Sequence, residues 1–410
     1  AEETGCDFDA VRGRSAAQWR ELLSRVEVEG GTAQARRAFY TALYHSLVHP
    51  SLHGDVDGAY AVPTGRAGSG NPERLTNLSL WDTFRSQFPL LATLYPERYA
   101  LIVRSLLDSA REQGRLPVWE LYGAETDTMI GNHALAVLAD TLVRAPGLLD
   151  PQEALHWARV TQEGSRGGLD LYREVGYIPW DECPESVSRT LEFAYGDWCV
   201  SRIAAAAGEV GLAQTYEARS ARYRHLFDAG TGFFRGRDRQ GVWHTPFDPY
   251  SCNHRQDDYT EATAWQYLWF VPHDPGGLAG LMGGKEILLA RLHTFFTDDT
   301  PVRGPDPSVD ISGTIGQYAH GNEPCHLVPF LFHQMGDPGA GQIWLDAIQS
   351  RLYRDDPEGL CGNDDCGQLS AWHVWVALGL HPVCPGDPRL AVCVPNFRKA
   401  TLHLAGSRDL

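Results

Sequence analysis

The sequence of 410 residues predicts a mainly α-helical fold in which six pairs of helices close into a ring, an (α/α)6 toroid, with a short β segment at the C-terminus. Helical periodicity recurs along almost the whole chain, and six polar segments rich in aromatic residues interrupt it, each just before a helix. In such a ring the inner helices receive these segments at one face, so six distant segments are expected to converge on one pocket. No residue-level repeat is visible, and an irregular helical domain is the alternative.

The helices are predicted from the spacing of their apolar residues. Between residues 98 and 113 the apolar positions form one stripe of an amphipathic helix, and Gly114 is expected to end it. The same reasoning predicts about a dozen helices, at roughly 15–26, 33–48, 82–93, 98–113, 132–144, 151–163, 187–203, 210–228, 261–269, 284–297, 324–335, 338–353 and 369–379.

Strand patterns are confined to the end of the chain. Alternation from Lys399 to Leu404 and the short run from Leu390 to Val394 predict one or two strands. No partner for them is recognisable in the rest of the sequence. We therefore expect one helical domain over residues 1–385 and the beginning of a β-rich segment over residues 386–410.

Composition and charge exclude several classes of partner. The chain has 52 acidic and 35 basic residues, a formal charge of −17. An acidic surface repels phosphate backbones and anionic lipids, which argues against nucleic acid and membrane surfaces as partners. No apolar run approaches the length of a membrane span, and the first residues lack the basic and apolar regions of a signal peptide, so neither is predicted.

The nine cysteines include no C-x-x-C pair and do not match a zinc ribbon. Free, buried thiols are expected, because unpaired Cys is among the most buried residue types. A bridge between Cys361 and Cys366 across a tight loop is the alternative.

The six interrupting segments combine aromatic residues with carboxylates and amides. In three of them a Trp precedes an acidic residue, at Trp81-Asp82, Trp119-Glu120 and Trp180-Asp181. An aromatic face can pack against the C–H face of a pyranose while the carboxylate accepts hydrogen bonds from its hydroxyls, so these pairs indicate a sugar site. Trp residues that are part of the core near the beginning of a helix are the alternative. The six segments are Thr76–Arg85, Trp119–His133, Tyr177–Ser186, Ser251–Trp265, Gly316–His326 and Cys361–Trp372.

Oxygen ligands dominate these segments, whereas phosphate-binding, dinucleotide, Ser-nucleophile and H-E-x-x-H motifs are absent from the sequence. Such donors prefer a hard cation, Ca²⁺ above Mg²⁺ or Zn²⁺, and Asn322, Glu323 and Asp365 are the candidate ligands. An acidic pocket that holds only sugar hydroxyls is the alternative. The pair Asp364-Asp365 lies between Gly362 and Gly367, which indicates a loop that closely approaches another part of the chain.

Long motifs in these segments resemble the catalytic region of glycoside hydrolase family 92, the calcium-dependent exo-acting α-mannosidases. The resemblance runs from about Asp7 to Pro385. The matching strings are SLWDTFR (79–85), ESVSRTLEFAYGDWC (185–199), YTEATAWQYLWFVPHD (259–274) with LMGGKE (281–286), and GQYAHGNEPCH (316–326) with CGNDDCGQLSAW (361–372).

The resemblance implies an (α/α)6 catalytic domain over residues 1–385 that hydrolyses α-mannosides with inversion. It places the general acid on Glu261 and the general base on Asp365, and Ca²⁺ beside Asn322 and Glu323. The chain departs from the family pattern at Ala262 and Thr263, where Gly and Asn are expected, and at Asn363, where some relatives carry a second acid. The substrate-binding residues implied by the motifs are Trp81, Asp82, Arg85, Trp119, Asn322, Glu323 and Asp364.

The resemblance also implies a substrate and a setting. Terminal α-1,2- or α-1,3-linked mannose of N-glycans or mannans is the expected substrate, in a secreted or extracytoplasmic location. The N-terminal β-sandwich of the family has no counterpart in this sequence and is expected as a partner in cis or in trans. Hydrolysis of mannosyl phosphodiesters, for which Glu261 would be dispensable, and a catalytically silent carbohydrate-binding fragment are the alternatives.

Overall fold

The structure is a computed structural model that describes residues 7–62, 67–68, 70, 72–406 and 408–410. Helices dominate these ranges, as the sequence predicts. They are α1 (Phe8–Leu23), α2 (Ala33–His45), α3 (Leu80–Thr83), α4 (Gln87–Leu94), α5 (Pro96–Gln113), α6 (Ala134–Arg144), α7 (Pro151–Gln162), α8 (Leu169–Val175), α9 (Ser186–Ala206), α10 (Val210–Ser220), α11 (Ala264–Tyr267), α12 (Pro275–Met282), α13 (Lys285–Thr297), α14 (Val328–Gln334), α15 (Pro338–Leu352) and α16 (Gln368–Ala377).

The described strands are short and form ribbons of two or three. They are β1 (Val26–Glu29), β2 (Ser51–Leu52), β3 (Tyr60–Ala61), β4 (Ala67–Gly68), β5 (Leu75–Thr76), β6 (Leu78–Ser79), β7 (Trp119–Leu121), β8 (Ala124–Glu125), β9 (Phe227–Asp228), β10 (Phe233–Phe234), β11 (Ser251–Asn253), β12 (Arg303–Asp306), β13 (Thr314–Ile315), β14 (Tyr318–Ala319), β15 (Leu380–His381), β16 (Ala391–Val392), β17 (Lys399–Leu404) and β18 (Arg408–Asp409).

Fully buried helices alternate with helices that bury only one face. Every residue of α16 is buried, as are most residues of α4, α6 and α9. By contrast, α5 buries a single stripe that includes Ile102 and Leu106, and Gly114 ends it in the left-handed conformation, as predicted. Helix α9 packs against α6, α7 and α10, and α16 packs against α2 and α4. This alternation of inner and outer helices is that of the predicted toroid.

The expectation that the C-terminal strand has no partner in this chain is wrong. Strand β17 pairs antiparallel with β1, which places Val26 opposite Leu402. The periodicity predicts that the first helix extends to residue 26. In the structure α1 ends at Leu23, and the alternating Val and Glu residues that follow form a strand. The run 390–394 contributes β16, which pairs with β15. A domain boundary at residue 385 stays a prediction.

Several predicted helices are interrupted near the converging loops. The helix predicted at 82–93 is divided into α3 and α4, and the one predicted at 261–269 contracts to Ala264–Tyr267. Glu261 and Asp365 have φ angles of 52° and 45°, in the left-handed region that a helix cannot include. No helix among the described residues is long and apolar enough to cross a bilayer.

The cysteines of the described ranges are free thiols, and several are fully buried. The alternative bridge between Cys361 and Cys366 is therefore not formed. Cys6 lies outside the described residues.

Candidate active site

Hydrogen bonds and close packing connect several of the six polar segments to one another. The first two are joined by the pairing of β6 with β7, where Ser79 lies opposite Trp119. The third and fourth are joined by the backbone N–H of Glu185, which donates to the carbonyl oxygen of Asp257 over 2.7 Å. These contacts fix neighbouring segments by backbone hydrogen bonds, independently of what their side chains do.

The fourth, fifth and sixth segments are joined by an amide and by two glycines. Asn322 Nδ2 donates to the carbonyl oxygen of Glu261 over 2.8 Å. A Cβ on Gly362 would lie 3.2 Å from the Cα of Gly321, and a Cβ on Gly321 would overlap Ser312 Oγ. The close approach predicted for the loop of Gly362 is therefore confirmed, and its neighbour is the loop that carries Asn322.

Three acidic side chains from three segments form a cluster, which we call the acidic triad: Asp82, Glu323 and Asp365. One carboxylate oxygen of each lies within 4.8 Å of the others. Asp82 lies on α3, while Glu323 and Asp365 each begin a short 3₁₀ turn that precedes a buried helix. Asp82 and Glu323 are buried, and Asp365 is half-buried. The triad contains two of the candidate cation ligands, Glu323 and Asp365, the second of which is also the predicted base, and it adds Asp82, which the motifs imply as a substrate-binding residue.

If all three carboxyls of the triad were ionised, their negative charge would exceed the positive charge of the side chains that act on them. Burial is the largest cause that raises the pKa of all three carboxyls, and their mutual repulsion raises the pKa of Asp82 and Glu323 further. The guanidinium of Arg85 opposes this by lowering the pKa of Asp82 and Glu323, and it lies 4.9 Å from the ring of Trp81. A bound cation or retained protons must supply the remaining compensation.

The residues of the triad fit a hard cation. All of their donor atoms are carboxylate oxygens, and Glu323 Oε1 is buried with no hydrogen-bond partner among the described residues. The side chain of Asn322 accepts from the N–H of Glu323 over 3.1 Å while it donates to Glu261, so it links two loops. Its role as a cation ligand stays a prediction.

Glu261 lies in a second electrostatic environment within the same site. Burial raises its pKa to about 8, and the carboxylates of Asp310, Glu185 and Asp365 act in the same direction. Arg255 opposes them. A carboxyl with this pKa is largely protonated at neutral pH, which is the state that a general acid requires.

The loop of Glu261 is held in its left-handed conformation by hydrogen bonds on both sides. On one side, the N–H of Thr260 donates to Ser188 Oγ on α9 over 2.9 Å. On the other side, the N–H of Thr263 donates to Gln266 Oε1 over 2.8 Å at the beginning of α11. A non-glycine residue at positive φ is costly, and such positions cluster at functional sites.

Two further predicted site residues, Trp119 and Asp364, lie next to the segments that carry the acidic triad. Trp119 is half-buried, and its neighbour across the strand pair, Ser79, donates its hydroxyl to Asp82. Asp364 accepts from the N–H of Ser370 over 2.9 Å and lies 3.9 Å from His45, so its carboxylate is engaged at the beginning of α16. Substrate contacts by Trp119 and Asp364 stay predictions.

The sequence reasoning missed Glu192, which connects three elements beneath the site. Its buried carboxylate accepts from Trp81 Nε1 over 2.9 Å and from the Tyr267 hydroxyl over 3.0 Å, and it lies 3.0 Å from His133 Nε2. A Cβ on Gly131 would collide with both His133 and Glu192. The available signal was an acidic residue in a predicted helix that has few other charged residues, because a helix of this kind is buried on most sides and a buried carboxylate needs partners.

Asp310 was also missed, because it lies outside the six polar segments. It raises the pKa of both Glu261 and Asp365. The loop that carries it is close to the site because Gly321 N–H donates to the carbonyl oxygen of Ser312 over 3.1 Å. An acidic residue three positions before the stretch 313–321, which begins and ends with glycine, was the available signal.

A helical toroid with buried carboxylates gathered by its loops at one end defines the class of toroidal glycoside hydrolases. The model of the glycosyl hydrolase family 92 catalytic domain matches residues 1–410, and the chain belongs to this family.

Solved members of the family share the fold. The chain is 34% identical to the family GH92 α-mannosidase BT3965 from Bacteroides thetaiotaomicron, solved in complex with mannoimidazole, with a TM-score of 0.95 over 100% of this chain and 55% of that one. It is also 34% identical to the inverting GH92 mannosidase BT2199 from the same organism, with a TM-score of 0.88 over 98% of this chain and 57% of that one.

A curated relative also matches this chain over almost its whole length. An uncharacterized secreted glycosidase of Arthroderma benhamiae is 27% identical over 97% of this chain and 50% of its own length. The chain therefore spans about half the length of the relatives it matches.

Proposed function

We propose that this chain carries the catalytic residues of a calcium-dependent, inverting exo-α-mannosidase that removes terminal mannose from N-glycans or mannans, with α-1,2 or α-1,3 linkages as the expected substrates. The observation that carries the proposal is a mostly protonated carboxyl, Glu261, in the same site as a cluster of carboxylates that includes Asp365. The α-mannosidases among the structural neighbours support the choice of sugar.

Glu261 is the proposed general acid and Asp365 the proposed general base. Glu261 protonates the glycosidic oxygen as the bond breaks, while Asp365 takes a proton from a water molecule that attacks the anomeric carbon on the opposite face. An inverting reaction requires the two carboxyl groups to be about 6.5–9.5 Å apart, so that this water fits between them. Their positions on separate loops, each held by its own contacts, support this division of roles.

The acidic triad is the proposed calcium site, with Asn322 beside it. Bound there, Ca²⁺ supplies a Lewis-acidic charge that holds vicinal sugar hydroxyls and favours ring distortion. Asp82 and Arg85 orient the terminal mannose by accepting from and donating to its hydroxyls, and Trp81 packs beside them. Glu192 fixes the indole of Trp81 from below.

The relatives support a proposed setting for the reaction. The description of one as secreted supports an extracytoplasmic location for this protein. Because the chain spans about half the length of its relatives, we propose that a β-sandwich domain completes the site in cis or in trans.

Proton NMR of an α-mannobiose digest tests the proposal. Initial release of β-mannose, loss of turnover in EGTA with recovery in Ca²⁺, and loss of turnover in Glu261→Gln are expected. Glu286→Gln, on the exposed face of α13, is the matched control and keeps wild-type activity. Initial release of α-mannose would refute inversion. Mannoside binding without turnover would instead favour a silent carbohydrate-binding domain.

A further inference from the structure

A buried glutamine in the sixth polar segment contacts the loops that carry the acidic triad. Gln368 is the first residue of α16 and is fully buried. Its side-chain oxygen Oε1 accepts from the backbone N–H groups of Ser86 and Gln87 over 3.0 and 3.1 Å. Its side-chain nitrogen Nε2 lies 3.1 Å from Nδ1 of His326. One side chain therefore connects the end of the fifth segment with the beginning of α4, which follows the first segment.

The partners of this amide fix its orientation. His326 Nε2 lies 2.9 Å from the carbonyl oxygen of His320, which can only accept, so Nε2 carries the ring proton. Burial lowers the pKa of His326 to about 3, so the ring is neutral and Nδ1 is an acceptor. Gln368 Nε2 therefore donates to Nδ1, and Gln368 Oε1 faces the two backbone N–H groups. Donors and acceptors match at each of these contacts.

Two members of this network are bonded directly to residues of the triad. The N–H of His326 donates to the carbonyl oxygen of Glu323 over 3.0 Å and closes the 3₁₀ turn that begins there. The N–H of Gln368 donates to the carbonyl oxygen of Asp365 in the turn before α16. The hydrogen bond between the side chains of Gln368 and His326 therefore fixes the backbone of Glu323 relative to that of Asp365.

The third member of the triad, Asp82, is connected through the oxygen of the same amide. Its carbonyl oxygen accepts from the N–H of Arg85 over 3.4 Å, and the next residue is Ser86, which donates to Gln368. Helix α3, which carries Asp82, also packs against the turn of Asp365. Gln368 therefore limits how far Asp82 can move from the other two carboxylates.

A tyrosine outside the polar segments connects the fifth and sixth segments a second time. The hydroxyl of Tyr353 donates to the carbonyl oxygen of Leu369 over 2.8 Å and lies 2.6 Å from His320 Nε2. Because its proton is used on Leu369, this hydroxyl accepts from His320 Nε2, and His320 Nδ1 accepts from the hydroxyl of Tyr318 over 2.6 Å. Tyr353 therefore holds the fifth segment against α16 by contacts that do not involve Gln368.

We propose that Gln368, supported by His326 and Tyr353, is the positioning residue of the cation site and holds the three carboxylates of the acidic triad at the spacing that Ca²⁺ requires. The inference rests on the proposed function and deepens it by assigning residues that act through the triad and do not touch the substrate. Ionised carboxylates repel one another, so their loops need a rigid support to stay within ligand distance of one cation. Replacing groups that orient metal ligands typically weakens metal binding about 10–100-fold.

Calorimetric titration with Ca²⁺ alone at pH 7 tests the network without relying on turnover. Gln368→Met removes both hydrogen-bonding groups at nearly constant volume and is expected to raise the Kd for Ca²⁺ about 10–100-fold. Tyr353→Phe breaks only the second connection and is expected to raise it about threefold to tenfold. The Ca²⁺ concentration that gives half-maximal hydrolysis of α-mannobiose should rise by the same factors.

The matched control is Gln349→Met, which removes another buried amide. The two hydrogen bonds of Gln349 are with Asn396 and join no polar segment. This variant is expected to lose stability in urea unfolding and to keep the wild-type Kd for Ca²⁺. A Gln368→Met variant that loses stability and keeps the wild-type Kd would show a merely structural role and overturn the proposal, as would an equal rise of Kd in Gln349→Met.

The same titration separates failure of the network from failure of the proposed function. If the wild-type chain binds Ca²⁺ but releases no mannose, the proposed function fails, and the comparison of Kd values still decides the network. If the wild-type chain binds no Ca²⁺, the network is overturned together with the cation site. Urea unfolding in EGTA shows whether each variant folds. If Gln368→Met does not fold, Tyr353→Phe decides: a raised Kd supports the proposal, and an unchanged Kd overturns it.

Discussion

Replacing Glu323 with Gln should stabilise the cation-free protein and at the same time weaken its binding of cations. At 4.8 Å, the upper bound on the separations within the triad, two unit charges repel by about 3.5 kcal/mol at an effective dielectric constant of about 20. Full ionisation of all three carboxyls would cost roughly 10 kcal/mol, as much as the whole stability of many domains, about 5–15 kcal/mol. The cation-free site therefore retains protons.

The sign of the pH dependence follows from the raised pKa of Glu323. A carboxyl whose folded pKa exceeds its unfolded value contributes full stability at pH values below the unfolded pKa, and this contribution is lost as pH rises. Gln carries no such penalty. Its stabilising effect in EGTA should therefore be small at pH 5 and about 1–3 kcal/mol at pH 8.

Urea unfolding at both pH values, with EGTA or with excess Ca²⁺, measures the two effects. At 100 times its Kd a cation stabilises the wild-type protein by about 2.7 kcal/mol, and at the same Ca²⁺ concentration Glu323→Gln should lose most of this gain because the site has lost a charged ligand. Glu286→Gln controls for the change itself. If Glu323→Gln is less stable than wild type in EGTA at pH 8 and keeps the full effect of Ca²⁺, the triad is not a cation site.

Three further substitutions test other parts of the site. Glu261→Gln should lower kcat/KM about 10²–10⁴-fold and remove the decline of wild-type activity as pH rises through about 8; a decline that persists in the variant excludes Glu261 as its source. Gly321→Ala should abolish stabilisation by Ca²⁺ in thermal unfolding, because the added Cβ overlaps Ser312 Oγ. Adding Ser312→Gly should restore this stabilisation. If the double variant is not stabilised by Ca²⁺, the close packing of these loops is contradicted. Glu192→Gln should destabilise the protein by about 1–3 kcal/mol in urea unfolding and raise KM, because a neutral amide accepts less well than a carboxylate from the surrounding donors, which include Trp81 Nε1. Unchanged stability and KM would contradict the positioning role of Glu192.

The sequence predicts those elements whose local pattern is enough to determine them. Helix α5 has an amphipathic stripe and ends at Gly114, and both features depend on residues within the helix itself. Strand β1 was missed because its pairing partner, β17, lies at the other end of the chain, and four residues of alternation do not outweigh the helical pattern before them. Periodicity predicts a helix at the loop of Glu261, because it contains no information on a positive φ that is fixed by tertiary contacts.

The candidate site shows the same division. The residues in long motifs, such as Asp82, Glu323 and Asp365, were singled out by type and spacing, and the structure brings them together. Glu192 lies within the matching string 185–199 and Asp310 lies outside the polar segments, but neither belongs to an acidic pair or follows a Trp. Their importance comes from burial and from neighbours that are distant in the chain, which only the folded structure specifies.

The two proposed catalytic carboxyls need opposite protonation states, yet burial raises the pKa of both Glu261 and Asp365. A cation bound at the triad would resolve this conflict because its attraction falls with distance. Asp365 belongs to the triad, whereas Glu261 does not. The pKa of Glu261 is raised mainly by burial and then by Asp310 and Glu185. The cation would therefore lower the pKa of Asp365 more than that of Glu261 and so separate base from acid. On this reasoning, loss of the cation raises the pKa of the Asp365 carboxyl and also removes the contacts to sugar hydroxyls, and both effects lower activity.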